Sequence, residues 1–388
     1  MKIIGIVEQP VSIASSIGNA FIWFDRMDVS VVAVISDQVR DGERLIGYGF
    51  NSNGRYAPSG LLHARFIPRL READPGELVD ADRSNFSPHR AWDVMMRAEK
   101  PGGHGERSVA VGTLDMAMWD LRAKVAGAPL QDLLAAEHGS GSPEEDVFVY
   151  AAGGYYQPGK GVDELQDEMR GYLDRGFTVT KMKVGGVPLA DDLRRIEAVL
   201  DVVGDPAALC VDANGRFDTA EAVAFGEAIA SYGLRWYEEP GDPLDYELHA
   251  EVARRYEPPL ATGENLFSTV DARNLIRYGG LRPDRDVLQF DCALSYGLVE
   301  YLRTLRMLAD HGWSWRRCLP HGGHQLSLCI AAGLGLGGNE AYPEVFEPFG
   351  RFPDDAQVVD GRITLPRVPG IGWEANGPLY DVLRSVHD

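Results

Sequence analysis

The sequence predicts a parallel β/α barrel preceded by a smaller α+β domain, and three observations predict it. The first third shows strand-like runs and one long helix. Beyond an acid-, Gly- and Ser-rich stretch at Glu137–Glu145 the pattern changes to strand, loop, helix, repeated. From there on, charged residues recur at strand ends with a step of one β/α unit. Alternating strands and helices point to a parallel sheet, and 388 residues hold a barrel of about 250 plus a second domain.

In chain order, Lys2–Val7 and Ser30–Ser36 read as strands, and Gly47–Gly60 as a polar, Gly-containing loop. A helix follows in which Ala110, Leu114, Ala117, Leu121 and Val125 recur at steps of three and four; Gly127 ends it, with Pro129 just beyond. Glu137–Glu145 reads as a domain linker. The clearest β/α unit pairs a strand at Val179–Val184 with a helix at Asp191–Val203, acidic at its start and closed by Gly204. The expected division is a first domain over 1–136, a barrel over 146–345 and a segment, 346–388, that folds back on the first domain.

The chain carries 58 acidic and 38 basic residues, a formal charge of −20. That speaks against nucleic acid as a partner, since phosphates want a basic face. It does not exclude an anionic substrate, provided the site concentrates its few cations. The four cysteines (Cys210, Cys292, Cys318, Cys329) are scattered and read as small buried hydrophobes in a reducing compartment. The N-terminal apolar run is broken by Glu8 and Pro10, too early for a signal segment, and no run is long enough to span a membrane. A cytoplasmic protein without a membrane partner is expected, and on general grounds a homo-oligomer.

The strand ends carry the chemistry. Lys181 and Lys183, Asp212, Glu238, Glu264, Asp291 and His321 follow one another at steps of 26 to 30 residues from Lys183 onward. One such residue is easily a solvated surface charge; six in step place charge at the same end of successive barrel strands, the end where active sites form. Asp212, Glu238 and Glu264 offer oxygen only, which suits Mg²⁺, with Mn²⁺ as a substitute, over zinc. Neighbours on a strand face opposite ways, and the even step selects Glu238 over Glu239. Lys181 and Lys183 are two apart and aim inward together. A second ammonium and a nearby cation are expected to lower the Lys183 pKa, so that it can act as a base. Asp291 is placed to orient His321, and Gly322 and Gly323 leave room beside it for a ligand. The order fits one logic: the cation grips a substrate carboxylate, and Lys183 and His321 flank the α-carbon while the ene-diolate charge is stabilised.

The motifs K-M-K, V-D-A-N-G, W-Y-E-E-P, A-T-G-E-N and L-P-H resemble the enolase superfamily, mandelate-racemase subgroup. The use of a Lys or His base with Mg²⁺ is documented for that superfamily. The longer strings GYGFNSNGRY, EKPGGHGERSVAVGT, VYAAGGYY, GDPLDY, RPDRD, QFDCALSYGL and PHGGHQ resemble D-tartrate dehydratases and span nearly the whole chain. The resemblance implies an α/β barrel of the (β/α)7β, modified TIM-barrel kind with an α+β capping domain. It also implies Asp212, Glu238 and Glu264 as ligands of Mg²⁺, Lys183 as base, and His321 as the acid that protonates a departing hydroxyl. Lys181 and Asp291 complete the catalytic set. The substrate would be a small hydroxy diacid, tartrate giving oxaloacetate, with dehydration or epimerisation of another acid sugar as the alternative. Asn19, Asn53 and Lys100 in the capping domain, with Tyr155, Lys181 and Glu340 in the barrel, are the substrate-binding candidates. Lys100 is the expected partner of the second carboxylate.

Overall fold

The structure, a computed structural model, describes residues 1–13 and 15–387. The first domain opens with an antiparallel sheet of three strands, β1 (Ile3–Ser12), β2 (Asp28–Arg40) and β3 (Glu43–Phe50), in sequence order. β3 lies where the sequence suggested the start of a loop. Its glycines are the reason for the misreading and for the packing. A Cβ on Gly47 would stand 2.1 Å from the Ala117 carbonyl oxygen, and one on Gly49 2.5 Å from that of Thr113. Only bare backbone lets the helix Gly105–Ala126 lie this close on the strand. That helix is buried almost throughout and ends in left-handed Gly127.

The second sheet is parallel and runs β4 (Asp146–Gly153), β5 (Thr180–Lys183), β6 (Leu209–Asp212), β7 (Trp236–Glu238), β8 (Leu260–Thr262) and β9 (Val287–Leu288), each paired to the next. Backbone bonds carry it on, from Leu319 N–H to the Leu288 carbonyl and from Glu340 N–H to that of Pro320. β10 (Asn339–Ala341) then pairs with β4, so the hydrogen-bonded circuit returns to its first strand. A helix follows each strand before β10, from Val162–Asp174 to Gln325–Leu334. These helices are amphipathic: in Leu298–Asp310 the leucines and Val299 are buried while Arg306 is exposed.

Residues beyond 346 touch both domains. β11 (Val358–Val359) and β12 (Arg362–Thr364) form a hairpin that pairs antiparallel with β4. The following stretch returns to the capping domain, where Trp373 donates its indole N–H to the Tyr48 carbonyl at 3.1 Å. Asp120 binds three pieces together: it accepts from Tyr48 N–H at 2.9 Å, from Ile371 N–H at 2.8 Å and from Lys124 at 2.8 Å. Among the described residues no helix is long and apolar enough to cross a membrane. The four cysteines are buried and unpaired.

Asp120 is fully buried, so its removal strands two backbone donors and leaves the Lys124 ammonium with Glu374 as its one carboxylate. Asp120→Ala is expected to lower stability by on the order of 3 kcal/mol, read as a lower urea midpoint with Mg²⁺-independent loss of the C-terminal segment's protection from proteolysis.

Candidate active site

Register places the charged strand ends side by side: Lys183 pairs with Asp212 across β5 and β6, and Asp212 with Glu238 across β6 and β7. Glu264 follows the end of β8 by two residues. Asp212, Glu238 and Glu264 each present an oxygen, all within 4.8 Å of one another. An oxygen-only cluster of this size fits a hard divalent cation. Glu238 is the inward one of its pair, held by the Trp236 indole N–H at 2.8 Å. Glu239, at a backbone φ of +38°, turns away and accepts the Asn265 amide N–H on both oxygens, at 3.0 and 3.1 Å.

Lys181 has no exposed side-chain surface. Its ammonium reaches Glu238 at 2.5 Å, Glu340 at 2.7 Å and Asp212 at 3.3 Å. Three carboxylates use its three hydrogens, and it is not among the residues that line the cavity described below. Lys183 donates to Asp212 at 2.5 Å and sits 4.9 Å from the centroid of the Tyr155 ring.

Burial opposes the Lys183 charge, but the Asp212 carboxylate beside it prevails and lifts the pKa above the ordinary lysine value. The lowered pKa expected from the sequence rests on a second ammonium and a nearby divalent cation together, and the ammonium alone does not outweigh this carboxylate. Asp212 itself, against the effect of burial, is driven well below the carboxylate range by Lys183 and Lys181. Glu238 is pushed up to about 8 by burial and by its proximity to Asp212. The cluster thus holds more negative charge than its lysines offset.

On the other flank, His321 Nδ1 lies 3.0 Å from Asp291 and Nε2 lies 3.0 Å from the Tyr342 hydroxyl. The tyrosine gives its own hydrogen to Glu340 at 2.9 Å, so it accepts from the imidazole. Burial disfavours the imidazolium, but Glu264 at 3.8 Å and Asp291 outweigh it and raise the pKa to about 10.

A cavity of about 300 Å³ opens above this floor, and Asn19, Asn53, Tyr155, Lys183, Glu264 and His321 line it together. Asn19 spends its side-chain oxygen on the N–H groups of Phe21 and Ile22, at 2.8 and 2.9 Å. Asn53 donates to the Gly322 carbonyl at 3.3 Å, tying the capping domain to the loop of His321. Glu340 is buried beneath the cavity; it holds Lys181, Tyr342 and the Gly322 N–H, and so does not form the wall. Lys100 is not brought in. Its neighbour Glu99 is pinned by Arg65, Arg69 and Arg107, which leaves Lys100 exposed outside the cavity. Sequence reasoning missed Arg55, Asn214, Asn265 and Tyr342 in the wall. The first three sit beside predicted residues, in NSNGR, VDAN and GEN, whereas Tyr342 had no signal.

With this geometry in hand, the chain can be compared with known proteins. Residues 164–378 match the Enolase C-terminal domain-like family, and residues 75–135 the mandelate racemase / muconate lactonizing enzyme N-terminal domain. The chain is a member of the mandelate racemase / muconate lactonizing enzyme family. A capping domain over a TIM-like barrel is the architecture of that family. Over 346 residues it is 30% identical to L-talarate/galactarate dehydratase of Salmonella typhimurium, covering 88% of this chain and 80% of the relative. It is similar to a racemase from Streptomyces coelicolor with bound magnesium, at 25% identity and a TM-score of 0.75, over 97% and 98% of the two chains. It is also similar to L-talarate dehydratase of Polaromonas sp. JS666 complexed with Mg and L-glucarate, at 28% identity and a TM-score of 0.73, over 95% and 94%. The mandelate racemase-like chain thus has acid-sugar dehydratases among its relatives.

If the three carboxylates form one cation site, Mn²⁺ titrated into chelator-treated protein should show one tight site per chain by electron paramagnetic resonance. Glu264→Ala should weaken it by at least about 100-fold while the far-ultraviolet circular dichroism stays unchanged.

Proposed function

We propose that the protein is a Mg²⁺-dependent hydro-lyase that removes the proton α to the carboxylate of an acid sugar and expels the β-hydroxyl. The observation that carries this reading is that Lys183, Glu264 and His321 open into one cavity. Lys183 comes from the second strand of the ring and His321 from the seventh, so a substrate between them has a base on one flank and an acid on the other. Asp212, Glu238 and Glu264 would hold Mg²⁺, which would supply Lewis-acid charge for a substrate carboxylate and offset the Asp212 charge that otherwise keeps Lys183 protonated.

Lys183 Nζ takes the α-proton. His321, hydrogen-bonded on Nδ1 by Asp291 and charged through the neutral range, gives its Nε2 proton to the β-hydroxyl, which leaves as water. The C–H and C–O bonds broken leave an enol that tautomerises to the 2-keto acid. Tyr342, at 3.0 Å from Nε2, keeps the ring turned toward the cavity. Asn53 and Asn19 are placed to meet substrate hydroxyls.

The comparisons support acid-sugar dehydration as a class. The finer choice of tartrate rests on the strings shared with D-tartrate dehydratases and on the cavity, whose roughly 300 Å³ is at the small end for ligand pockets. Epimerisation uses the same two flanking groups and is told apart by its product.

The test is a Mg²⁺-supplemented panel of D-, L- and meso-tartrate, galactarate, glucarate and talarate, each read for 2-keto acid and for epimer. Keto-acid release, abolished by chelation, is the expected result; epimer without keto acid would replace the dehydratase reading. Lys183→Ala should cut turnover by about 10³-fold and abolish α-proton exchange in D₂O, with Mn²⁺ binding retained. His321→Asn should lose dehydration to a similar degree, about 10³-fold, yet keep exchange.

A further inference from the structure

Arg55 lies in the wall of the catalytic cavity, where the chemistry of Lys183, His321 and the carboxylate cluster makes no use of it. It is carried by the capping-domain loop that follows β3, held at several points. Fully buried Asn51 donates to the Arg55 carbonyl at 2.9 Å and accepts from Ser30 N–H at 2.7 Å. Two residues on, Asn53 anchors the same loop to the barrel.

The guanidinium is oriented but not neutralised. One of its terminal nitrogens donates to Asn265 Oδ1 at 2.7 Å, and its plane packs over Phe267 with 4.9 Å to the ring centroid. The Asn265 amide cannot turn round, because its N–H group serves both oxygens of Glu239; only this orientation satisfies the carboxylate on one side and the guanidinium on the other. Arg55 Nε is buried with no partner. Among the described residues no carboxylate lies within 4.0 Å of Arg55. In a chain with 58 acidic and 38 basic residues, a guanidinium on a cavity wall without a carboxylate partner is positioned for an anion that arrives from outside.

We propose that Arg55 receives the carboxylate at the substrate end remote from the Asp212–Glu238–Glu264 cluster, so that the site selects dicarboxylic acid sugars over their monocarboxylic counterparts. The inference rests on the acid-sugar reading of the same cavity. A planar fork takes a carboxylate through two parallel N–H···O bonds, and the stack on Phe267 with the Asn265 contact fixes the fork before the substrate arrives. Glu239 acts as a positioning residue through Asn265. The role first assigned to Lys100 passes to a cation that faces the cavity.

The experiment compares Mg²⁺-loaded wild type with Arg55→Met and Arg55→Lys on two matched pairs, tartrate with threonate and galactarate with galactonate. Within each pair a terminal carboxylate is exchanged for a hydroxymethyl group. Turnover and calorimetric binding are both measured. Wild type is expected to prefer the diacid of at least one pair. Arg55→Met should lower kcat/KM and affinity for that diacid by about 100-fold, mainly through KM, and leave the monoacid within about threefold. Arg55→Lys, which keeps the charge without the fork, should fall between them and serves if the methionine variant does not fold. Equal losses on diacid and monoacid, an unchanged preference in Arg55→Met, or no diacid preference in wild type would each overturn the assignment. If wild type turns over none of the four acids, the dehydratase reading fails on its own. The calorimetric preference and its loss in Arg55→Met then still decide the role of Arg55.

Discussion

The ammonium of Lys181 is the interaction on which the site's arrangement depends. It is shut off from solvent and touches Asp212, Glu238 and Glu340 at once. Asp212 leads outward to Lys183, and Glu340 leads through the Tyr342 hydroxyl to His321. One buried charge therefore connects the proposed base with the proposed acid across the floor of the barrel. Breaking a buried ion pair from one side leaves the other members uncompensated, at a cost of several kcal/mol. The geometry of both flanks is thus tied to a residue buried beneath the cavity.

The same floor explains why a divalent cation belongs there. Asp212, Glu238, Glu239, Glu264 and Glu340 crowd around two lysines. Left to themselves they cannot all ionise, and Glu238 shows it by a pKa raised to about 8. Two added positive charges among Asp212, Glu238 and Glu264 relieve the repulsion that burial magnifies. The roof has another task. Its loops bring asparagines and an arginine, groups that recognise hydroxyls and carboxylates without exchanging protons at neutral pH. In the proposed reading proton transfer belongs to the strand ends, and the capping domain adds Asn19, Asn53 and Arg55 to the cavity wall.

What the sequence made legible follows from what periodicity encodes. A step of 26 to 30 residues survives because each strand needs one helix to reach the next, so Lys183, Asp212, Glu238, Glu264 and His321 could be aligned without coordinates. Periodicity gives direction but not depth. Lys181 and Glu340 both point inward, yet they meet each other below the cavity. Loops have no period at all. Lys100 and Arg55 are both cations in glycine-containing stretches, and the three arginines that hold Glu99 are visible only in space. The same holds for β3, where glycines that signal a loop were instead required by a helix backbone 105 to 126 packed onto the strand.

Two groups flanking one carbon could exchange a proton in either direction, which is the symmetry a racemase needs. Here the partners of the two groups break it. His321 is fastened into a chain of Asp291, Tyr342 and Glu340, and its charged form is favoured by Glu264, Asp291 and Glu340. Lys183 has one carboxylate at hydrogen-bond distance, Asp212, and that carboxylate is shared with the cation cluster. Two of the carboxylates behind the histidine, Asp291 and Glu340, lie outside the cation cluster, whereas the lysine rests on a carboxylate inside it. An acid backed by carboxylates outside the cluster, opposite a base whose partner is shared with the cation, suits a reaction in which one side must give a proton and the other take one. Elimination of a hydroxyl is such a reaction. Exchange of a single hydrogen between two faces would be better served by two groups of matched environment.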